Sequence, residues 1–378
     1  MGNLFSSLQK KQQMKIALAM LMLIVPVALY ALQGSLTMLS NKQEAGEKYT
    51  KAIEVTPEQL GALVIPESSV PVSTGIYMES IQDVSVANNQ WKSKFLLWFR
   101  WNDRDDRTGV LADPADYPGE RFIVGNGNID SKVLMIDRHD PLTGDHYQQY
   151  RITATVEKYF DTTRYPLESH QLKIFIEDER DMSRVRYVAD SENSELSPYL
   201  TIAGFDVLSH DDGIYLNEYA STMNDPVFEN ANFETSGKKT MEYVFVTRVN
   251  RSGYGLFLKA FLSLFGMLLW VCIGLYNCAY NEGDALGAMN TGIFGAVSSM
   301  IVGMNLLSDA RGSGLIEYVN FFALAMILVV TIYVMHINHC RKHRHNEDYV
   351  ACYSQALFWT VGLLTVGTLA SLVLCAAM

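Results

Sequence analysis

Apolar residues gather into five long runs, at about 14–35, 255–279, 285–307, 315–335 and 355–377. Each approaches the ~20 residues that cross ~30 Å of hydrocarbon as a helix. The third run is the least hydrophobic and the richest in glycine. Between the first and second runs the pattern changes to period two. Val70, Val72, Thr74, Ile76 and Met78 alternate with Pro71, Ser73, Gly75, Tyr77 and Glu79. Ile152, Ala154 and Val156 alternate with polar neighbours, Leu172, Ile174 and Ile176 repeat the theme, and Met241–Thr247 closes it. Turn clusters at Asn88-Asn89, Asn126-Gly127-Asn128 and Thr143-Gly144-Asp145 separate these runs. Half-buried strands joined by short turns predict an antiparallel β-sandwich. The fold class is therefore a multi-domain membrane protein: a sandwich, then a four-helix transmembrane bundle, with an extra N-terminal transmembrane helix.

Charge sharpens the division. Residues 41–252 hold 22 basic and 35 acidic side chains, net −13, whereas the remainder holds 8 and 6, net +2, which together make the overall −11. No basic stripe exists to neutralise phosphates, which disfavours a nucleic-acid partner. Lys10 and Lys11 precede the first run and Lys15 stands at its start, with no acidic residue before them, and the positive-inside rule puts that end in the cytoplasm. The acidic block then lies outside, the basic loop His336–Tyr353 inside and the C-terminus outside, a multi-pass cell-membrane protein. The first run reads as a retained anchor or a cleaved signal, and its length favours the anchor. The domains follow: a cytoplasmic tail and signal-anchor helix at 1–40, a polar linker at 41–69, the external domain at 70–251 and the four-helix domain at 252–378. All five cysteines fall in the last of these or its inner loop, so the external domain has no disulfide framework.

Within the third run, Leu286, Asn290, Ile293, Val297, Met300 and Met304 follow 4-3-4-3-4 spacing, one face of a helix. A second stripe of small residues, Ala288, Gly292, Gly295, Ala296, Ser299 and Gly303, suits close helix contact. Glu282 and Asp284 are the only charges between the second and third runs.

The order of elements, with specific residues, resembles the pentameric ligand-gated ion channels, the Cys-loop receptor superfamily. Val84–Trp101 followed by Asn102-Asp103 is similar to that family's second strand and its Trp-x-Asp element. Tyr165-Pro166-Leu167-Glu168-Ser169-His170 stands where the family carries an aromatic-Pro-aromatic-Asp-x-Gln loop, and Tyr243–Tyr254 resembles its last strand entering the first pore helix. The resemblance covers about 70–378. The loop's flanking cysteines are absent, as in the prokaryotic branch; Glu168 and His170 replace Asp and Gln, and 255–279 lacks the usual proline. The resemblance implies a homopentamer in a lipid bilayer with the stripe from Leu286 to Met304 lining a pore. Asn290 would form a polar ring, and Ile293 and Val297 a hydrophobic constriction. Glu282 and Asp284 would be acidic rings selecting cations. Pro166, Glu168 and Arg251 would couple the sandwich to the pore, with Arg248 a substitute for Arg251. The opening signal would be a small molecule, proton or ion.

Other chemistry finds less footing. The acidic runs Asn102–Arg107 and Glu177-Asp178-Glu179 miss the EF-hand spacing, and their arginines would offset a cation, so solvated charge is the better reading. His336, His339 and His343 crowd around Cys340 with His345, but match no structural zinc spacing. His139, His146, His170 and His210 show no ordered partner spacing, and neither metal nor cofactor is assigned. Trp98, Tyr215, Tyr219, Phe228 and Phe233 could cage a cationic amine or simply pack. No nucleophile elbow, phosphate loop or zinc-protease helix appears, so no enzyme is expected. The competing function is a non-conducting receptor or assembly protein that binds through the sandwich.

Overall fold

The alternating runs become strands whose inward positions are the ones the alternation marked. A computed structural model describes residues 5–6, 8–51, 68–218, 239–306, 313–343 and 347–377. In chain order the elements are α1 (Lys10–Lys51), β1 (Val70–Ser85), β2 (Gln90–Asn102), β3 (Phe122–Val124), β4 (Gly127–Asp140) and β5 (Asp145–Glu157). They continue as β6 (Ser169–Asp178), β7 (Val185–Ala189), β8 (Glu195–Leu196), β9 (Phe205–Glu218) and β10 (Lys239–Arg251). The helices α2 (Gly255–Tyr280), α3 (Leu286–Leu306), α4 (Leu315–Lys342) and α5 (Glu347–Ala377) follow. The chain divides into a helical unit, 1–44 with 161–168 and 253–378, and a sheet unit, 45–160 with 169–252.

In the sheet unit, β4, β5, β2, β1 and β7 lie side by side with β8 also on β1, while β3, β6, β10 and β9 form a second sheet. The β2–β5 ladder runs unbroken from Gln90 opposite Glu157 to Asn102 opposite Asp145. One apolar core takes residues from both sheets, among them Trp91, Phe95, Phe99, Tyr150, Ile174 and Phe245. Full burial of each large side chain contributes about 1.5–3 kcal/mol. The expectation of purely antiparallel pairing fails at one edge: β7 and β8 pair with β1 in parallel. The chain reaches β7 from β6 in the other sheet, not through a hairpin, so no tight turn dictates an antiparallel partner. The run Val84–Trp101 likewise spans the end of β1, a turn and β2, not a single strand.

Gly127 starts β4 where the backbone of Thr155 and Val156 passes within 2.5 and 2.9 Å of a Cβ placed there. Strand backbone, unlike a flexible side-chain tip, cannot step aside. Gly127→Ala is therefore expected to destabilise the sheet unit by about 1–3 kcal/mol. Gly362→Ala, which meets nothing within 4 Å, should leave it unchanged. Thermal melts followed by tryptophan fluorescence check both.

In the helical unit, five helices among the described residues are long and apolar enough to cross a membrane. They outrun the apolar segments that predict them. The helix begun at Lys10 continues to Lys51, into the stretch expected to be linker, and the expected inner loop 336–353 is largely the last turns of α4 and the first of α5. Hydropathy marks where a helix meets hydrocarbon, whereas the backbone bonds that define it continue through Lys, Glu and Gln, all good helix formers. Arg344 and His345 lie outside the described residues. The extra helix α1 is docked on its neighbours. The Tyr30 hydroxyl donates to Tyr318 O at 2.8 Å, the Tyr333 hydroxyl to Ala19 O at 2.8 Å, and a Cβ at Gly34 would press on Leu372 and Tyr318. Its other face exposes Met14, Leu18, Leu21, Val25, Leu29 and Leu32, the signature of a helix turned to an apolar solvent.

Candidate functional site

The two stripes of α3 separate as their spacing requires. Gly292, Ala296, Ser299 and Gly303 are buried. A Cβ on Gly292 would meet Val271, one on Gly295 would meet Met267, and one on Gly303 would meet Ile316. The small residues thus let α2 and α4 approach closely. Asn290, Val297 and Met304 are exposed, and Leu286, Ile293 and Met300 are half-buried, the first two against the apolar core. Phe294 and Ile301, outside the expected stripe, are also exposed. The uncovered face is therefore broader than the stripe and is rotated toward Phe294 and Ile301.

The α2–α3 turn is built by two carboxylate-bearing residues doing different things. Asp284 Oδ1 accepts the Leu286 amide at 2.9 Å, capping α3, and also accepts the Asn338 Nδ2 at 2.7 Å. Glu282, exposed, takes a left-handed backbone with φ 55° that turns the chain. Sequence proximity offers no basic neighbour, yet the fold brings one from α4. The Arg341 guanidinium donates to the carbonyls of Cys278, Glu282 and Gly283, the last two at 3.0 and 3.1 Å.

Residues 161–168 belong to the helical unit although they connect β5 to β6. Leu315 at the start of α4 donates to Thr163 O at 2.8 Å, and Asn41 of α1 donates to Asp161 Oδ2 at 2.7 Å. Burial opposes ionisation of Asp161, but that amide, the Thr163 backbone and hydroxyl, and Arg164 outweigh it and hold its carboxyl below the ordinary value. Tyr165, Pro166 and Glu168 are buried, and the Tyr165–Pro166 peptide is cis. Arg251 belongs to the sheet unit, where its guanidinium lies 4.1 Å from the Phe205 ring centre. Arg248 reaches Asp211 at 3.4 Å. The candidate coupling residues are thus divided between the units.

Of the aromatic residues, Trp98 is core and donates its Nε1 to Asp190 at 3.0 Å, while Tyr215 is exposed. Tyr219, Phe228 and Phe233 lie outside the described residues. On α4, the Cys340 thiol stands 3.6 Å from His336 Nε2, and the rings of His339 and His343 are 4.3 Å apart, one helical turn in each case.

Two histidines that spacing left without partners are paired by the β4–β5 hairpin. His139 lies directly opposite His146, and their rings stack at 4.0 Å. His139 Nε2 is 3.1 Å and His146 Nε2 2.8 Å from the two carboxylate oxygens of Asp103. One signal was available: Thr143-Gly144-Asp145 marks a hairpin turn, and folding the chain about it sets His139 against His146.

No family model matches the chain. A stretch of 174 residues, 45% of the chain, is 26% identical to part of the replication factor C small subunit of Methanocaldococcus jannaschii. The chain spans 9% of the length of that relative, and so small a share carries no activity across.

Proposed function

We propose that this chain is the subunit of a homopentameric, cation-selective ion channel in the cell membrane, its sheet unit an external β-sandwich that senses a ligand and α2–α5 a four-helix pore bundle. The observation that carries the reading is α3. Its small-residue face is occupied by α2 and α4, while its opposite face leaves Asn290, Thr291 and Ser298 uncovered in a helix apolar enough to span a membrane. Polar groups on such a helix favour protein or water over lipid. A ring of copies around a water-filled axis supplies both. The extra α1 packs beside α4, and its Tyr30 and Gln33 border a cavity shared with Met300 and Met304 at one end of α3. In this arrangement the N-terminus is cytoplasmic and the C-terminus outside. A non-conducting receptor would use the same sheets without the pore.

Planar-bilayer recording of the purified protein, with its mass in nanodiscs measured alongside, tests the proposal. A five-chain mass and single-channel currents are expected. A folded pentamer silent to every applied pH and ligand favours the receptor, and a monomer or dimer removes the pore.

A further inference from the structure

We propose that Asp103, His139 and His146 form a binding site for a divalent transition-metal ion of the Zn2+ type on the sheet unit. One carboxylate and two imidazole nitrogens offer ligand atoms that all lie within 4.8 Å of one another. Ligands at the ~2.0–2.1 Å bond lengths of zinc sit about 3.4 Å apart in a tetrahedron, so closing on the ion needs side-chain rotations of about an ångström. Imidazole with carboxylate is a donor set that zinc, nickel and copper prefer to calcium or magnesium.

The scaffold fixes all three ligands. His139 and His146 are opposite each other in a ladder, so their spacing is set by strand geometry. Asp103, just beyond β2, donates its amide to Gly144 O at 2.9 Å, and Asn102 ties the same turn through Thr143 O and Asp145. His146 is buried, stacked on Trp101 at 4.8 Å with Tyr117 edge-on at 5.4 Å, which locks its ring. His139 and Asp103 are half open to solvent, leaving an entry path and a position for water, as in three-ligand zinc sites.

The Arg104 guanidinium of the acidic run is engaged away from Asp103, donating to Leu142 O at 3.4 Å. The same Nε2 atoms that face Asp103 would bond the metal.

The test is calorimetric titration of Zn2+ into the full-length protein in detergent, purified without a polyhistidine tag, with Co2+ absorption spectra as a second readout. One site per chain is expected at pH 7.5, with a tetrahedral Co2+ absorption spectrum that added Zn2+ removes. His139→Gln and Asp103→Asn should weaken it about 10–100-fold, and His146→Ala should abolish it. His139 is exposed, so its substitution leaves the fold intact. No uptake by the wild type, or equal uptake by wild type and His139→Gln, which would assign the ion to the α4 histidines, overturns the proposal.

Discussion

Glu242→Gln is expected to stabilise the sheet unit by about 3 kcal/mol above neutral pH and to flatten its pH profile between about 4.5 and 7. Glu242 lies in β10, the strand with the longest unbroken buried run, Thr240–Thr247. Burial, the neighbouring Glu177 charge and a hydrogen bond shared with Glu177 raise its carboxyl from 4.5 to about 7, while the Asn217 amide, 2.7 Å away, pulls the other way. Below pH 4.5 the folded and unfolded chains both hold the proton and the group contributes nothing. As pH rises toward 7 the unfolded chain releases it and the folded chain keeps it, so folding becomes progressively less favourable. Above 7 the cost is constant, because both states are ionised. Glutamine carries no charge to bury, keeps an acceptor for Asn217 and offers a donor to Glu177. Denaturant titrations of wild type and variant at pH 4, 6 and 8 measure the difference. Equal stabilities at pH 8 would mean that Glu242 is ionised at no cost, and that its environment is wetter than its burial indicates.

Neutralising Glu282 is expected to shift the reversal potential of the proposed channel toward the anion side more than neutralising Asp284. Both carboxylates stand at one end of α3, where the narrow mouth of the proposed ring would focus their field between low-dielectric walls. They are not equivalent. Asp284 is engaged by the Leu286 amide and by Asn338, so part of its charge is spent at the helix start. The Glu282 side chain is exposed, although Arg341 on its backbone carbonyl tempers the field. Asp284→Asn retains a cap and should shift selectivity less; Asp284→Ala should also loosen α3. Recordings under a salt gradient for wild type, Glu282→Gln and Asp284→Asn decide it. Anion preference in the wild type, or no shift with either substitution, rejects these residues as the selectivity ring.

The sequence by itself determined the inward faces of the strands. Val70, Val72, Ile76, Ile152, Ala154, Leu172 and Ile174 are buried as their alternation requires, because which side of a strand a residue occupies is settled by its immediate neighbours. For the same reason the five apolar runs are helices, and the small-residue stripe of α3 meets α2 and α4. What only the tertiary structure decided are meetings between residues far apart in the chain. The parallel pairing of β7 and β8 with β1, Arg341 over the α2–α3 turn, the grouping of 161–168 with the helices and the closure of Asp103 on two histidines leave no local period. Glu242 belongs with these: in the sequence it is a polar residue in an apolar run, and its carboxyl is raised because the fold buries it and β6 lays Glu177 beside it. Periodicity records a residue's own face, whereas chemistry at a site depends on which other elements the fold sets against that face.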